Sequence, residues 1–446
     1  MTLPTPTSMS DVVAPFIPIP VTTKGGEAIP FLPAPKRTLS ELRVAASTVE
    51  AMIAKSLYLH GPQSSKALAE QLKLTVSVVR EVIDELRASL LVTLKGTELV
   101  DFVFQLTAAG EQHARNLCSQ GTYCGAVPVP LADYVTSVEL QSIRRQGLDI
   151  QRFKSVLDDL HLPTQQFNEL AQAMHAGRGV FLFGAPGNGK TSVAERLTAC
   201  FSKYLWIPRT LIAGHEIIRL FDASVHNEID PATIGYDFDA DEYDHRWVLI
   251  ERPSIVVGGE LALHHLELGR REGSHVLEAP IQMKSNGGTL VIDDFGRQRV
   301  KPEDLLNRWI IPLSNYQDYL SLPNGRQIQV PFDQNIVFST NIHPRGLVDE
   351  AFLRRIPFKV ELVDPDEAAF REVFTRVARQ NKLKYEEDVL EYLFETYYRS
   401  TERPMRYCHP RDLLFHVQNI CELFDLPREV TRSSLDMAAK NYFNGM

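Results

Sequence analysis

Apolar residues recur at helical spacing from Leu42 to Leu59, and Gly61-Pro62 stops the run. Ser64 reads as the cap of a short helix through Leu72, and Thr75 as the cap of a third from Val76 to Ser89. The period then shortens to that of strands at Leu91–Leu94 and Phe102–Leu106, a small hairpin with Lys95-Gly96 in its turn region. Helical spacing returns at Phe153–Ala176 and, near the C-terminus, at Glu367–Arg379, Glu386–Arg399, Asp412–Phe424 and Ser433–Phe443. Between these lie short apolar runs of buried-strand type: Gly179–Phe183, Thr289–Ile292 and Asn335–Thr340.

These patterns divide the chain into a tail (1–38), a helix-and-hairpin unit (39–118), a linker (119–150), an α/β core (151–363) and four helices (364–446). The tail carries Pro4, Pro6, Pro15, Pro18, Pro20, Pro30, Pro33 and Pro35 and reads as flexible or extended, because proline removes backbone donors. The linker reading rests on Gly121, Gly125, Pro128 and Pro130. Three helices followed by a hairpin resemble a winged helix, a fold that often reads DNA with its third helix. Here that helix carries Arg80 and Arg87 against Glu81, Asp84 and Glu85. Nine acidic residues face eight basic ones over 38–118, one net negative charge, so the unit favours protein over DNA.

Composition changes this picture little. With 446 residues, 44% hydrophobic and 23% charged, the chain has material for a sizeable core, and a net charge of -9 leans away from nucleic acid. Five cysteines at irregular spacing give neither a disulfide framework nor a metal pair, which fits a reducing compartment. The N-terminus lacks the pattern of a secretory signal, and no apolar run reaches the ~18–20 residues that span a bilayer. A cytoplasmic chain without direct membrane insertion is expected. The acidic residues Asp237, Asp239, Asp241, Glu242 and Asp244 read as a solvated loop.

The strongest chemistry follows the strand Gly179–Phe183. Gly184-Ala185-Pro186-Gly187-Asn188-Gly189-Lys190-Thr191 leads into a helical run from Ser192, the strand–loop–helix setting of a phosphate-binding P-loop. Glycines let backbone N–H groups curl round phosphates, Lys190 offers a point charge to the outer phosphates, and Thr191 offers a hydroxyl to Mg2+. Thr289–Ile292 ends in Asp293-Asp294. Asp293 is placed to hold Mg2+, mainly through water, and Asp294 to polarise an attacking water. The expected cofactors are ATP and Mg2+.

Taken together, these motifs resemble the AAA+ ATPases over about 155–446. The run Asn335–Asn341 resembles that family's sensor 1 strand, which implies that Asn341 orients the lytic water. Asp349-Glu350-Ala351-Phe352-Leu353-Arg354-Arg355 is similar to its arginine-finger segment, with Arg354 or Arg355 acting on a neighbour's nucleotide. His409-Pro410-Arg411-Asp412 resembles the start of its sensor 2 helix, with Arg411 facing the γ-phosphate from a helical lid. Asp294 departs from the glutamate usual at its position. Glu278–Thr289, in the long stretch between the two nucleotide motifs, is similar to branches with an inserted loop there, MoxR-like chaperones and enhancer-binding activators among them.

The resemblance implies a P-loop α/β fold with a C-terminal lid, a self-assembled ring that commonly has six subunits, and ATP hydrolysis coupled to remodelling of a client, expected to be protein. Two rivals stand beside it. One is a DNA-linked machine (helicase loader, transposition or transcription regulator) using the winged-helix-like unit. The other is a nucleotide switch that does not hydrolyse.

Overall fold

The computed structural model describes residues 16–17, 21–22, 28–29, 31–98, 101–160, 162–235, 242–270 and 275–444. Its centre is a five-stranded sheet formed by β1 (Val180–Phe183), β2 (Ser254–Val257), β3 (Thr289–Ile292), β4 (Asn335–Thr340) and β5 (Phe358–Glu361). The spatial order is β2-β3-β4-β1-β5, and every neighbouring pair is parallel. β1, β3 and β4 are buried at every position, which explains why Val180–Phe183, Leu290–Ile292 and Ile336–Phe338 read as continuous apolar stretches rather than alternating ones. Phe181, Phe295 and Phe338 stack together on one face, while Val180, Leu182, Val291 and Val337 pack on the other. All five strands point the same way, so the residues that follow β1, β3 and β4 emerge along one edge of the sheet.

Ahead of the sheet stand helices Ala46–His60, Ser65–Leu72 and Val76–Ala88, then strands Val92–Glu98 and Asp101–Leu106. A short strand, Gln63–Ser64, joins this hairpin as a third member, and a further helix spans Ala108–Ser119. Ser64 caps its helix as expected, accepting from the Ala67 N–H at 3.2 Å. Thr75 does not cap the next one: its hydroxyl donates to the Lys36 carbonyl at 2.9 Å and so ties down the segment before the unit.

That tie corrects the flexible-tail reading of 1–38 for the part that is described; Pro4, Pro6, Pro15, Pro18, Pro20 and Pro30 lie outside the described residues. Phe31 is 1% exposed and, with Phe16 and Leu32, packs against Trp206, Trp247 and Leu249. Rings at these positions bury more apolar surface than an extended tail could leave in water. Residues 119–150 are likewise no bare linker. Val129–Pro130 forms a strand parallel to Thr210–Ala213, and helix Leu131–Leu140 buries Tyr134, whose hydroxyl accepts from Asn286 Nδ2 at 2.8 Å.

The long stretch between the two nucleotide motifs folds as a second layer. Gly269–Arg270, Val276–Glu278, Glu216–Arg219, Thr210–Ala213 and Val129–Pro130 make one sheet in that order, beside an antiparallel pair of Tyr204–Pro208 with Trp247–Glu251. Of the acidic run, Asp237, Asp239 and Asp241 lie outside the described residues. Asp244 is buried rather than solvated, because Arg246, itself 1% exposed, grips it through Nε at 3.0 Å and Nη2 at 2.7 Å. Lys36, Arg43 and Asp133 cluster with this pair, and Arg43 meets Asp133 at 2.5 Å. Burial pulls the Lys36 ammonium below its usual value and pushes the Asp133 carboxyl above its own.

The C-terminal helices are Glu367–Gln380, Glu387–Leu393 with a wider turn over Phe394–Arg399, His409–Leu423 and Arg432–Phe443. They share their own core around Phe370, Phe374, Leu390, Leu413 and Leu435. His409 lies in it, its Nδ1 2.9 Å from the Tyr398 hydroxyl, and burial pulls its imidazole down to about 4.

Two outcomes follow. Phe31→Ala should cost about 3–5 kcal/mol in a denaturant melt, whereas a loose tail would leave the midpoint unmoved. His409 stays neutral when folded but titrates near 6.5 when unfolded, so its contribution is intact above pH 6.5 and fades as pH falls toward 4. A melt series across that window should show the loss, and His409→Gln should flatten it.

Candidate nucleotide-binding site

β1 delivers the chain at Gly184 into a turn that returns as helix Lys190–Arg196. Three of its glycines take positive φ: 140° at Gly184, 86° at Gly187 and 78° at Gly189. At Gly187 the need is also steric, since a Cβ there would lie 2.5 Å from Cys408 Sγ. Ala185 and Pro186 form the crest, Asn188 is buried, and Ser192 is exposed in the first helical turn.

Lys190 is 7% exposed. Its Nζ donates to the carbonyls of Gly184 at 3.1 Å and Ala185 at 3.0 Å, the loop's own oxygens. Burial lowers its pKa, opposed by the nearby carboxylates of Asp293 and Asp294. A desolvated ammonium with no direct ion pair among the described residues is set to gain from an arriving polyphosphate.

The second motif comes to the first. Thr191 Oγ1 donates to Asp293 Oδ2 at 2.9 Å. Asp294 follows in the left-handed region at φ 49°, and its Oδ1 accepts from Asn341 Nδ2 at 3.3 Å. Five residues named from sequence, on three separate segments, therefore meet at one edge of the sheet: Lys190, Thr191, Asp293, Asp294 and Asn341. Thr191 and Asp293 supply neighbouring neutral and anionic oxygens, a donor set that suits a hard divalent cation such as Mg2+.

The arginines divide differently. Arg354 and Arg355 end the helix Glu350–Arg355, just before β5. Arg354 is 83% exposed, 3.9 Å from Glu350, on the rim of a cavity of about 830 Å3 lined also by Phe183, His343, Arg345 and Lys359. Among the described residues, the ion pair of Arg354 is with Glu350 of its own helix and not with the phosphate loop. Arg411 lies in the first turn of the helix His409–Leu423, 74% exposed and paired with its neighbour Asp412 at 3.3 Å.

The lid arginine set against the loop is Arg406, which the motif reading missed. It pairs with Asp364, and Asp364 accepts from Asn188 Nδ2 at 2.7 Å. The Cys408 N–H donates to the Gly187 carbonyl at 3.0 Å and closes the same clasp. The available signal was position: Arg406 lies in the loop before the helix, where a side chain can turn back toward the sheet. Gln298 was missed as well. Its amide donates to the Asp293 carbonyl at 2.7 Å and accepts from the Gly296 N–H at 2.8 Å.

The geometry is that of a P-loop α/β core with a helical unit closed on its phosphate loop. Residues 366–441 match a family model described as a domain of unknown function (DUF8689). No curated protein matches the chain. Among solved structures, NtrX from Brucella abortus in complex with ADP is similar at 16% identity and a TM-score of 0.39, over 63% of this chain and 56% of that one. The similarity thus spans just over half of that protein. A RuvB mutant from Thermotoga maritima is similar at 14% identity and a TM-score of 0.36, over 68% of this chain and 72% of that one. Another RuvB structure, titled a Holliday junction branch migration motor, is similar at 14% identity and a TM-score of 0.34.

The two lid arginines are separable by titration with ATP. Arg406→Ala should weaken binding roughly 10- to 100-fold, the scale of one charge-assisted hydrogen bond. Arg411→Ala should stay within about twofold, as for an exposed pair. The reverse ranking would return the role to Arg411.

Proposed function

We propose that the chain is an AAA+-type ATPase that hydrolyses ATP to ADP and phosphate and uses the cycle to remodel a protein client. One observation carries this reading: Lys190, Thr191, Asp293, Asp294 and Asn341 converge at the carboxyl edge of a parallel sheet, with a helical lid clasped to the same loop.

In this reading, backbone N–H groups of Gly184–Thr191 and the Lys190 ammonium hold the β- and γ-phosphates. Thr191 and Asp293 would hold Mg2+, which would supply positive charge to the outer phosphates. Asp294 draws a proton of the attacking water toward its carboxylate while Asn341 fixes the direction of that carboxylate. The water oxygen bonds to the γ-phosphorus, and the bond to the β–γ bridging oxygen breaks. Arg406 exchanges its Asp364 partner for phosphate oxygen and so couples nucleotide state to lid position. Arg354, projecting into solvent, completes the site of a neighbouring copy in a ring, with Arg355 beside it as the alternative.

The N-terminal unit acts in this reading as a winged-helix-like docking module for protein. Its third helix has both arginines engaged, Arg80 with Asp101 at 3.3 Å and Arg87 with Asp84 at 3.4 Å. Its wing leaves Leu90, Leu94 and Phe102 exposed. Apolar side chains beside neutralised arginines suit a protein surface better than phosphates.

Phosphate release is the test. The wild type should turn over, Asp294→Asn should bind ATP yet lose at least about 100-fold in turnover, and Lys190→Ala should lose ATP binding. A wild type that binds ATP without releasing phosphate would leave a nucleotide switch. DNA binding by the full chain that weakens steeply with salt would overturn the protein-client reading.

A further inference from the structure

The turn that carries Asp294 is built in an unusual way. In an ordinary four-residue turn over 293–296, the Asp293 carbonyl would accept directly from the Gly296 N–H. Here the Gln298 side-chain amide stands between them: Nε2 donates to the Asp293 carbonyl at 2.7 Å, and Oε1 accepts from the Gly296 N–H at 2.8 Å. The amide's orientation is fixed by its partners, because a carbonyl can only accept and an N–H can only donate. The turn closes directly over 294–297, where the Arg297 N–H donates to the Asp294 carbonyl at 3.0 Å, and over 293–296 it is spanned by this one amide group instead.

The spanned turn has a local cost. Asp294 takes φ 49° and Gly296 takes φ 105°, both in the left-handed half of backbone space, and Asp294 is not a glycine. The rest of the turn is nailed down around that residue. The Phe295 N–H donates to the Ser339 carbonyl at 2.7 Å, Thr340 Oγ1 donates to the Phe295 carbonyl at 2.9 Å, and the Phe295 ring is buried against Phe181 and Phe338. These contacts fix where the turn sits. Among the described residues, the Gln298 amide is the one side-chain group that bridges the two backbone atoms flanking Asp294 and Phe295, and so bears on the backbone angle that aims the Asp294 carboxylate at Asn341.

We propose that Gln298 is a positioning residue for hydrolysis: its amide spans the turn, keeps Asp294 left-handed, and thereby sets the direction of the water-polarising carboxylate. The inference rests on the ATPase reading and deepens it. It also bears on the aspartate at this position. A side chain one methylene shorter than glutamate must be brought to the water by its backbone, and a left-handed turn spanned by an amide is a means of doing so.

The experiment uses the full chain with Gln298→Leu, which keeps bulk and removes both bonds, and Gln298→Glu, which keeps the acceptor for Gly296 and loses the donor to Asp293. Turnover should fall roughly 10- to 100-fold in both, the scale of a misplaced catalytic group, while affinity for a slowly hydrolysed ATP analogue changes less than about threefold. In an Asp294→Ala background, Gln298→Leu should remove nothing further, because its effect passes through that carboxylate. A crystal structure of Gln298→Leu should show residue 294 outside the left-handed region. Equal turnover in wild type and Gln298→Leu would overturn the proposal and leave the ATPase reading intact. Loss of nucleotide affinity together with turnover in both variants, or a further loss in the Asp294→Ala background, would make Gln298 merely structural. A wild type without phosphate release would remove the ATPase reading itself, and this role with it.

Discussion

The Lys190 ammonium is taken out of water and given carbonyl oxygens instead of a carboxylate, and the rest of the architecture is arranged to make that tolerable. A desolvated cation is stable only where fixed dipoles and nearby negative charge surround it. The loop must therefore curl tightly, which glycine at Gly187 permits. β3 must end beside β1's loop, which the strand order enforces through β4 as the spacer. Asp293 and Asp294 then lie close enough to favour the charge, while Thr191, rather than Lys190, takes the direct bond to Asp293. The site is thus charged in advance for a multivalent anion.

A second constraint couples that loop to the helical unit. Asn188 reaches across to Asp364, Asp364 holds Arg406, and the backbone of Cys408 binds Gly187. These links join the loop to both ends of the path by which the chain enters and folds back from the lid. Movement of either partner must break polar bonds in the other, so loop geometry and lid position form one cooperative unit rather than two adjacent ones.

The motif-bearing segments were legible in sequence because each is local: a strand, a turn and a helix start within about a dozen residues. Lys190, Thr191, Asp293, Asp294 and Asn341 were all named before they were seen to meet. What escaped had its cause elsewhere in the chain. The proline-bearing stretch before Thr38 looked unstructured, yet Phe31 finds Trp247 more than two hundred residues away. Asp244 looked like one more surface acid until Arg246 turned it inward. Arg411 opens its helix where the motif has it, whereas Arg406, three residues before that helix, carries no motif and is held to the loop through Asp364. Gln298 carries no motif at all, since a side-chain amide bridging a turn has no sequence signature.

The ionic cluster of Lys36, Arg43, Asp133, Asp244 and Arg246, buried except at Arg43, has a mechanical corollary. Arg43 belongs to the stretch entering the N-terminal helices, Asp133 to the helix leaving them, and Asp244 with Arg246 to the turn before strand Trp247–Glu251, where Arg246 also reaches the carbonyls of Leu42 and Pro128. Separating these pieces would break the Arg43–Asp133 pair, half-exposed on its arginine side, and would cost Arg246 its bonds to the Leu42 and Pro128 carbonyls. The N-terminal unit is therefore fastened to the turn before Trp247–Glu251 by polar bonds on both its entering and its leaving stretch, and not hung from it by a string.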